Sequence, residues 1–359
     1  LLLVASPVFL AHVMVPMSDV PMVAGWALVA LLALKGDEKS ARSVFTGMVA
    51  GLMLLIRPNL ILLTLVPACA WRFRPEPLVR YGLGLAPWLL AIAGINVHLY
   101  GDPLTFGYGT LLESYALNAA PQNARAYTVW LVETQTLFVA LAAIPLFIKS
   151  AVRPRARVCL SALLGLTFLS YLFYHVFDHW FYLRFLLPAY SALFVCMAAG
   201  LRFLCIRMPV EARAPAALCL CAALVPYGVK VGADAGIFRQ AAFEQRHVRA
   251  ATDVAARTPT RAAILSAQHS GSVRYYAHRV TLRYDLMAAA GLDSAISDLT
   301  ALGHHPFLVV DDWEEAEFRA RFAPYSRAGR LDWKPLATIP SSPEVRIYDL
   351  AGLGAATQP

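Results

Sequence analysis

Nine mostly apolar stretches punctuate the first 231 residues, at 1–15, 20–34, 43–56, 58–71, 79–99, 130–148, 158–177, 183–205 and 214–231. A helix needs about 20 residues to cross the hydrocarbon core of a bilayer. The third and fourth stretches fall short of that and are joined by Arg57-Pro58. They read as a helical pair that turns at one face of a membrane, with the proline opening the second helix, where no backbone donor is needed. The pattern changes after residue 231, and residues 232–359 mix polar and apolar positions as a globular domain does. Within them RAAILSAQ, VTLRYD and FLVVDD predict strands, SVRYYAHR, LDSAISDLTALG and EEAEFRARF predict helices, and the end of the chain holds two further strands. That alternation predicts a small α/β layer domain. The expected fold is a polytopic α-helical membrane protein of about nine helical segments over 1–231, followed by an α/β domain over 232–359.

Composition agrees. Hydrophobic residues make up 58% of the chain, charged residues 15%, and the mean hydropathy is +0.56. An ordinary soluble domain carries roughly a quarter charged residues. The chain opens on LLLVASPVFL, with no methionine and no basic region of the kind that starts a signal peptide. The expectation is a start inside a transmembrane helix, with further N-terminal sequence in the natural protein. The six cysteines (Cys69, Cys159, Cys196, Cys205, Cys219 and Cys221) lie in apolar segments or near their basic ends. Their spacing fits neither a zinc site nor a secreted disulfide framework. They read as small apolar packing residues.

Charge assigns sides. Alternate loops carry Lys35, Lys39 and Arg42; Arg72, Arg74 and Arg80; Lys149, Arg153, Arg155 and Arg157; and Arg202, Arg207 and Arg213. The loops between them hold only Arg57, Arg125 and Arg184, thirteen cations against three. By the positive-inside rule the basic loops are cytoplasmic. The loops at 16–20, 100–129 and 178–183 and the domain after 232 are then extracytoplasmic. The net charge of +8 is mostly this signal, so no nucleic-acid partner is implied.

The outer loops hold the candidate chemistry. In HWFYLRFLLP, Trp180, Phe181 and Tyr182 form an interfacial aromatic belt, and Arg184 lies a turn or less inside it. Arg184 either snorkels to lipid headgroups or lines a pocket for an anionic lipid or phosphate. Arg57 falls at the same face and invites the same two readings. Ser18-Asp19 has the form of a helix N-cap; alternatively Asp19 is an outward carboxylate at the rim of a polar cavity. The loop at 100–130 combines turn signals at Gly101-Asp102-Pro103 and Gly107-Tyr108-Gly109 with Glu113, Asn118, Gln122 and Asn123. Rings and amides of this kind bind sugars, and the same mixture suits an amphipathic loop lying on a membrane. In the last domain, the turn QHSGS could hold an anion on helix-start amides but lacks any phosphate-loop spacing, so a structural turn is favoured. His304-His305 and Asp311-Asp312 are read as a helix-end turn and a strand-end cap rather than a metal site.

Three stretches together carry a family resemblance: SDVP opening an apolar helix, the glycine-led GLMLLIRPNLILL, and WFYLRFLLPAY, with GDPLTFGYG in support. In order and membrane side they resemble the C-type glycosyltransferase superfamily, nearest to bacterial relatives of the protein O-mannosyltransferases and of the lipid A aminoarabinose transferase. The resemblance spans residues 1–231. It implies an inverting transfer of a sugar from a polyprenyl-phosphate donor to an extracytoplasmic lipid, glycan or protein acceptor, in the bacterial plasma membrane. It places the catalytic carboxylate in an outer loop upstream of Leu1, so no residue here is assigned to that role. Arg57 and Arg184 become lipid-phosphate ligands, and Asp19, Asp102, Tyr108, Glu113, Asn118, His179 and Tyr182 become cavity candidates. No cofactor is evident, and a divalent metal is left open. The rival readings are a transporter or lipid flippase, and a sensor whose membrane part is only an anchor.

Overall fold

Proline and polar residues inside the apolar stretches decide where the helices break. The computed structural model describes residues 1–15, 17–35, 40–106, 109–110 and 114–351. It separates into two units, Leu1–Phe238 and Arg239–Pro359.

The first unit begins with α1 (Leu2–Ala5) and α2 (Pro7–Val13), parted at Ser6, whose extended backbone is the conformation that a following proline enforces. There follow α3 (Asp19–Leu34) and α4 (Ser40–Ile56). Arg57 breaks the helical path at φ −141°, ψ 89°, and a 3-10 turn over Pro58–Thr64 leads into α5 (Leu65–Ala70). The long α6 (Pro75–Tyr100) stops at Gly101, which takes the left-handed conformation at φ 77°. A two-stranded antiparallel ribbon of β1 (Thr105–Phe106) and β2 (Gly109–Thr110) precedes α7 (Ala120–Gln135). After Thr136, at φ 61°, come a 3-10 segment over Leu137–Ala142 and α8 (Ala143–Phe147). The unit closes with α9 (Pro154–Leu172), a 3-10 segment over Trp180–Ala189, α10 (Tyr190–Cys205) and α11 (Val210–Asp234).

Nine membrane spans are not what forms. Among the described residues four helices are long and apolar enough to cross a bilayer: Pro75–Tyr100, Pro154–Leu172, Trp180–Cys205 and Val210–Asp234. A fifth is added if Leu117–Gln135 and Leu137–Phe147, bent by 109°, count as one span. The shortfall has local causes. Ser6-Pro7 splits the first stretch, Arg57-Pro58 parts the third from the fourth, and Thr136 bends the sixth. The apolar helices Asp19–Leu34, Ala41–Ile56 and Pro58–Ala70 are too short by themselves.

The unit is nonetheless built for lipid. In the most apolar windows of α6 and α11 only 11% of residues are buried within the protein. Water does not tolerate apolar faces of that extent on a folded protein, whereas hydrocarbon covers them. The inner packing is close where small residues permit it. A Cβ on Gly47 would lie 2.1 Å from the Tyr81 carbonyl oxygen, and one on Gly84 would lie 2.0 Å from that of Val44. The α4 and α6 backbones therefore touch, as membrane helices do at small residues. Trp26, Leu54, Leu60, Tyr171, Leu183 and Tyr190 fill the core of this unit.

The second unit contains α12 (Gln240–Arg257), β3 (Ala262–Leu265), α13 (Ser270–Tyr276), β4 (Val280–Leu282) and α14 (Leu292–Ala301). It continues through β5 (His305–Asp311), α15 (Asp312–Phe322), β6 (Ala337–Ile339) and β7 (Val345–Asp349). The sheet order is β4-β3-β5-β7-β6, with β4, β3 and β5 parallel and β5, β7 and β6 antiparallel in turn. AAIL, and HPFLVVD beyond its half-buried His305, are buried and place apolar residues on both faces because helices cover both. Ile264, Phe307 and Val309 pack under α12 and α13, whereas Leu265, Leu308 and Val310 pack under α14 and α15.

Candidate functional site

The start of α3 and the end of α4 are brought together because these two helices pack against each other as an antiparallel pair. Asp19 opens the first and Arg57 follows the second. Arg57 Nη2 donates to Asp19 Oδ1 at 2.7 Å, and Arg57 Nε donates to Ser18 Oγ at 3.0 Å. The Asp19 side chain is fully buried and that of Arg57 is 12% exposed. The expected cap is corrected here: Ser18 occupies the N-cap position of α3 but makes no side-chain cap bond. Hydroxyl and carboxylate both turn to Arg57, since a charge-assisted bond to a nearly buried guanidinium outweighs one to a helix-end amide.

Arg184 joins this pair from the 3-10 segment over Trp180–Ala189, where it is half-buried. Its Nη1 donates to Met17 Sδ at 3.3 Å, and its guanidinium lies 5.4 Å from the Phe185 ring. Near these charges lies His12, buried, with its Nδ1 donating to the Val8 carbonyl at 2.7 Å and its ring 4.4 Å from that of Phe181. His12 interacts electrostatically with Asp19, Arg184 and Arg57 alike, which places all four in one neighbourhood. Arg57 Nη1, Arg184 Nε, Asp19 Oδ2 and His12 Nε2 are buried there without a well-formed hydrogen bond. Unsatisfied donors on two cations are what an anion would satisfy.

A polar track leads away from the pair. Arg57 interacts with the Tyr171 hydroxyl, which accepts from Asn59 Nδ2 at 3.1 Å. Asn59 in turn interacts with Tyr115. Tyr115 borders a cavity of about 190 Å³ that is also lined by Asn118, Gln122, Tyr174 and His175. Its wall is fixed by a backbone bond from Ala116 to Phe173 at 2.8 Å. Asn123 holds the end of α9 in place by donating to the carbonyls of Leu172 and Tyr174 at 3.1 and 2.7 Å. Of the sequence candidates, then, Asp19, Arg57 and Arg184 converge, and Asn118 lines the cavity along the track.

The remaining candidates have local roles. Asp102 accepts from the Leu104 amide at 2.7 Å and from the Thr105 hydroxyl at 3.3 Å, so it forms the turn after α6. His179 caps its own 3-10 segment, accepting from the Phe181 amide at 3.2 Å. Tyr182 stacks on Phe177 with ring centroids 3.9 Å apart. Tyr108 and Glu113 lie outside the described residues. His12, Asn59, Tyr115 and Tyr171 were not singled out from the sequence. Asn59 carried a usable signal, a lone amide directly after Arg57-Pro58 in an otherwise apolar stretch; His12 was a lone imidazole in another.

The second unit holds a separate polar cluster. Its strand order reverses between β3 and β5, and ligand crevices of such sheets open at the carboxyl ends of those strands. There the buried Asp311 accepts from Arg246 Nη1 at 2.6 Å and from His269 Nε2 at 2.9 Å. His269 Nδ1 lies 3.2 Å from His247 Nδ1, whose side chain is 21% exposed. Burial opposes ionisation of Asp311, but the bonds from His269 and Arg246 outweigh it and hold the carboxyl below the usual range. Burial, then the nearby His269 and Arg246, push His247 below the ordinary imidazole value. Asp311, His269 and His247 form a line of close polar contacts from a buried carboxylate to a partly exposed imidazole. QHSGS, which contains His269, is thus a structural turn with its histidine turned inward. His305 bonds Asp349 at 2.8 Å and His304 the Arg261 carbonyl at 3.1 Å, so neither approaches Asp311 as a metal pair.

Fold and site together define the class: a helical membrane protein with a doubly cationic polar cluster at one end of its helices and a separate α/β unit. Comparison with known protein families, with curated proteins and with solved structures finds no match.

Proposed function

We propose that the protein is a membrane glycosyltransferase that moves a sugar from a polyprenyl-phosphate donor to an acceptor on the outer side of a bacterial plasma membrane. One observation carries the reading. Arg57 and Arg184, drawn from two of the three stretches that resemble the C-type glycosyltransferase superfamily, lie in one neighbourhood, each with a buried nitrogen that makes no well-formed hydrogen bond. In the reaction, an acceptor hydroxyl attacks the anomeric carbon as the bond from that carbon to the phosphate oxygen breaks. The hydroxyl proton passes to a carboxylate base, to which no residue is assigned here. Negative charge gathers on the departing polyprenyl phosphate, where preorganised cations lower the barrier. Asp19 is a positioning residue in this scheme, because it fixes the direction of the Arg57 guanidinium. The cavity beside Tyr115 and Asn118 offers rings and amides to a sugar. In the same scheme the ends bearing Arg72, Arg74, Arg153 and Arg155 are cytoplasmic, and the second unit is extracytoplasmic.

The transporter reading draws on the break at Thr136, since transport sites are built on broken helices. The polar groups buried beside that break, Gln135 and Ser6, are neutral and bond each other at 2.8 Å. The charged cluster at Arg57 and Arg184 is the better candidate for function. The test is to incubate membranes containing the protein with a labelled sugar–polyprenyl phosphate. Release of polyprenyl phosphate, with label passing to lipid, glycan or protein, is expected. Release no faster than in membranes lacking the protein would sink the proposal.

A further inference from the structure

At the other end of α9 from Tyr171, the first unit carries a second feature that points to a ligand. An apolar groove of about 480 Å³ runs along α9 between Leu65, Leu146, Val158, Ala162 and Leu169. It shares Cys69 and Val158 with a pocket of about 660 Å³ lined by Arg72, Arg74, Arg153 and Arg155. The lining of both cavities includes five arginines, Arg157 being in the groove, and no carboxylate. Two of these guanidinium groups are drawn inward. Arg155 Nη2 donates to the Ala33 carbonyl at 2.9 Å, and yet Arg155 Nε and Arg157 Nη1 are buried with no partner. An apolar channel that ends in clustered cations matches one kind of molecule, an amphiphile with hydrocarbon tails and an anionic head.

We propose that this groove and pocket bind an anionic phospholipid, its acyl chain along α9 and its phosphate among Arg72, Arg153 and Arg155. Charge complementarity selects the head, because basic pockets between membrane helices hold anionic lipids. The continuity of the two cavities selects a lipid over a soluble phosphate. The site is separate from the cluster at Arg57. Residues 157 and 171 of α9 are about 21 Å apart at 1.5 Å per residue, so the inference stands whether or not the transferase reading does. Desolvation favours the bound state as well, since a phosphodiester beside Arg155 would satisfy its orphaned Nε.

The experiment is native mass spectrometry of the whole protein in detergent, titrated with phosphatidylglycerol and, separately, with phosphatidylcholine. Phosphatidylglycerol should bind at least about tenfold more tightly. The double variant Arg72→Gln, Arg153→Gln alters only exposed side chains. At the usual contribution of a cation near an anionic lipid, it should lose about thirtyfold in phosphatidylglycerol affinity and much less in phosphatidylcholine affinity, since choline cancels the charge of that phosphate. A second variant, Gly165→Phe, places a ring where a Cβ meets nothing within 4 Å. It should block the groove and weaken phosphatidylglycerol binding with all five arginines kept. Equal binding of the two lipids overturns the proposal, as does full displacement of phosphatidylglycerol by millimolar inorganic phosphate.

Discussion

Arg57 and Asp19 stand 38 residues apart in the chain and meet at 2.7 Å inside the helical unit, with the carboxylate fully buried. Removing one member of such a pair strands the other charge, which costs about 3–5 kcal/mol, whereas replacing both is often nearly neutral. Asp19→Asn and Arg57→Gln should each lower the midpoint of thermal unfolding in detergent, and the double variant should recover most of the loss. Additive losses in the double variant would mean that the two side chains are not energetically coupled.

Arg184 separates two physical roles. A group that meets charge developing on a departing phosphate affects turnover more than donor binding. Loss of one such donor costs about 10²–10³ in rate. Arg184→Ala should therefore reduce polyprenyl-phosphate release by that order at matched expression. Arg184→Lys should restore only part, because an ammonium keeps the charge and loses the planar fork. An arginine that merely snorkels predicts full activity with lysine, since both side chains reach the headgroups.

Acid should loosen the second unit in two steps. The folded-state value of His247 is depressed, so the unfolded chain takes up that proton first, and stability falls as pH drops below about 6.5. Asp311, also held low, adds a further loss as pH falls below about 4. Glu314 works in the opposite sense: burial raises its carboxyl, so protonation of the folded form offsets part of that second loss. Backbone hydrogen exchange of β3 and β5 in the whole protein, corrected for intrinsic rates, should quicken between pH 7.5 and 5.5. His247→Asn should flatten that change, and an unaltered pH response in the variant would exclude His247 as its source.

Sidedness is open to direct measurement. Ser294, exposed on α14, can be changed to cysteine in a background where the native cysteines are replaced. A membrane-impermeant maleimide should label Ser294→Cys from the outer side of the plasma membrane in cells whose inner membrane is intact. Labelling only after that membrane is permeabilised would reverse the proposed orientation, and with it the side assigned to Arg57 and Arg184.

The sequence by itself determined the elements and the class of surface they make. Strings such as LGLAPWLLAIAGINVHLY are long and apolar enough to read as helices covered by lipid, and RAAILSAQ and FLVVDD read as strands of an α/β domain. These are local matters of hydrophobic period and backbone satisfaction, so the residues themselves carry them. The number of spans was harder to read, because apolar length was visible but the breaks at Ser6-Pro7 and Thr136 depend on how each segment packs. Arg57 and Arg184 stood out as isolated cations in apolar runs. That Asp19 would abandon its cap for Arg57, that His12 would sit among them, and that Asn59 and Tyr171 would lead from them to Tyr115 was decided only in three dimensions. The same holds for Asp311 on β5, which meets Arg246 from α12 and His269 from the start of α13. A buried polar group bonds whatever partner the fold delivers to it, and sequence separation carries no information about which one that is.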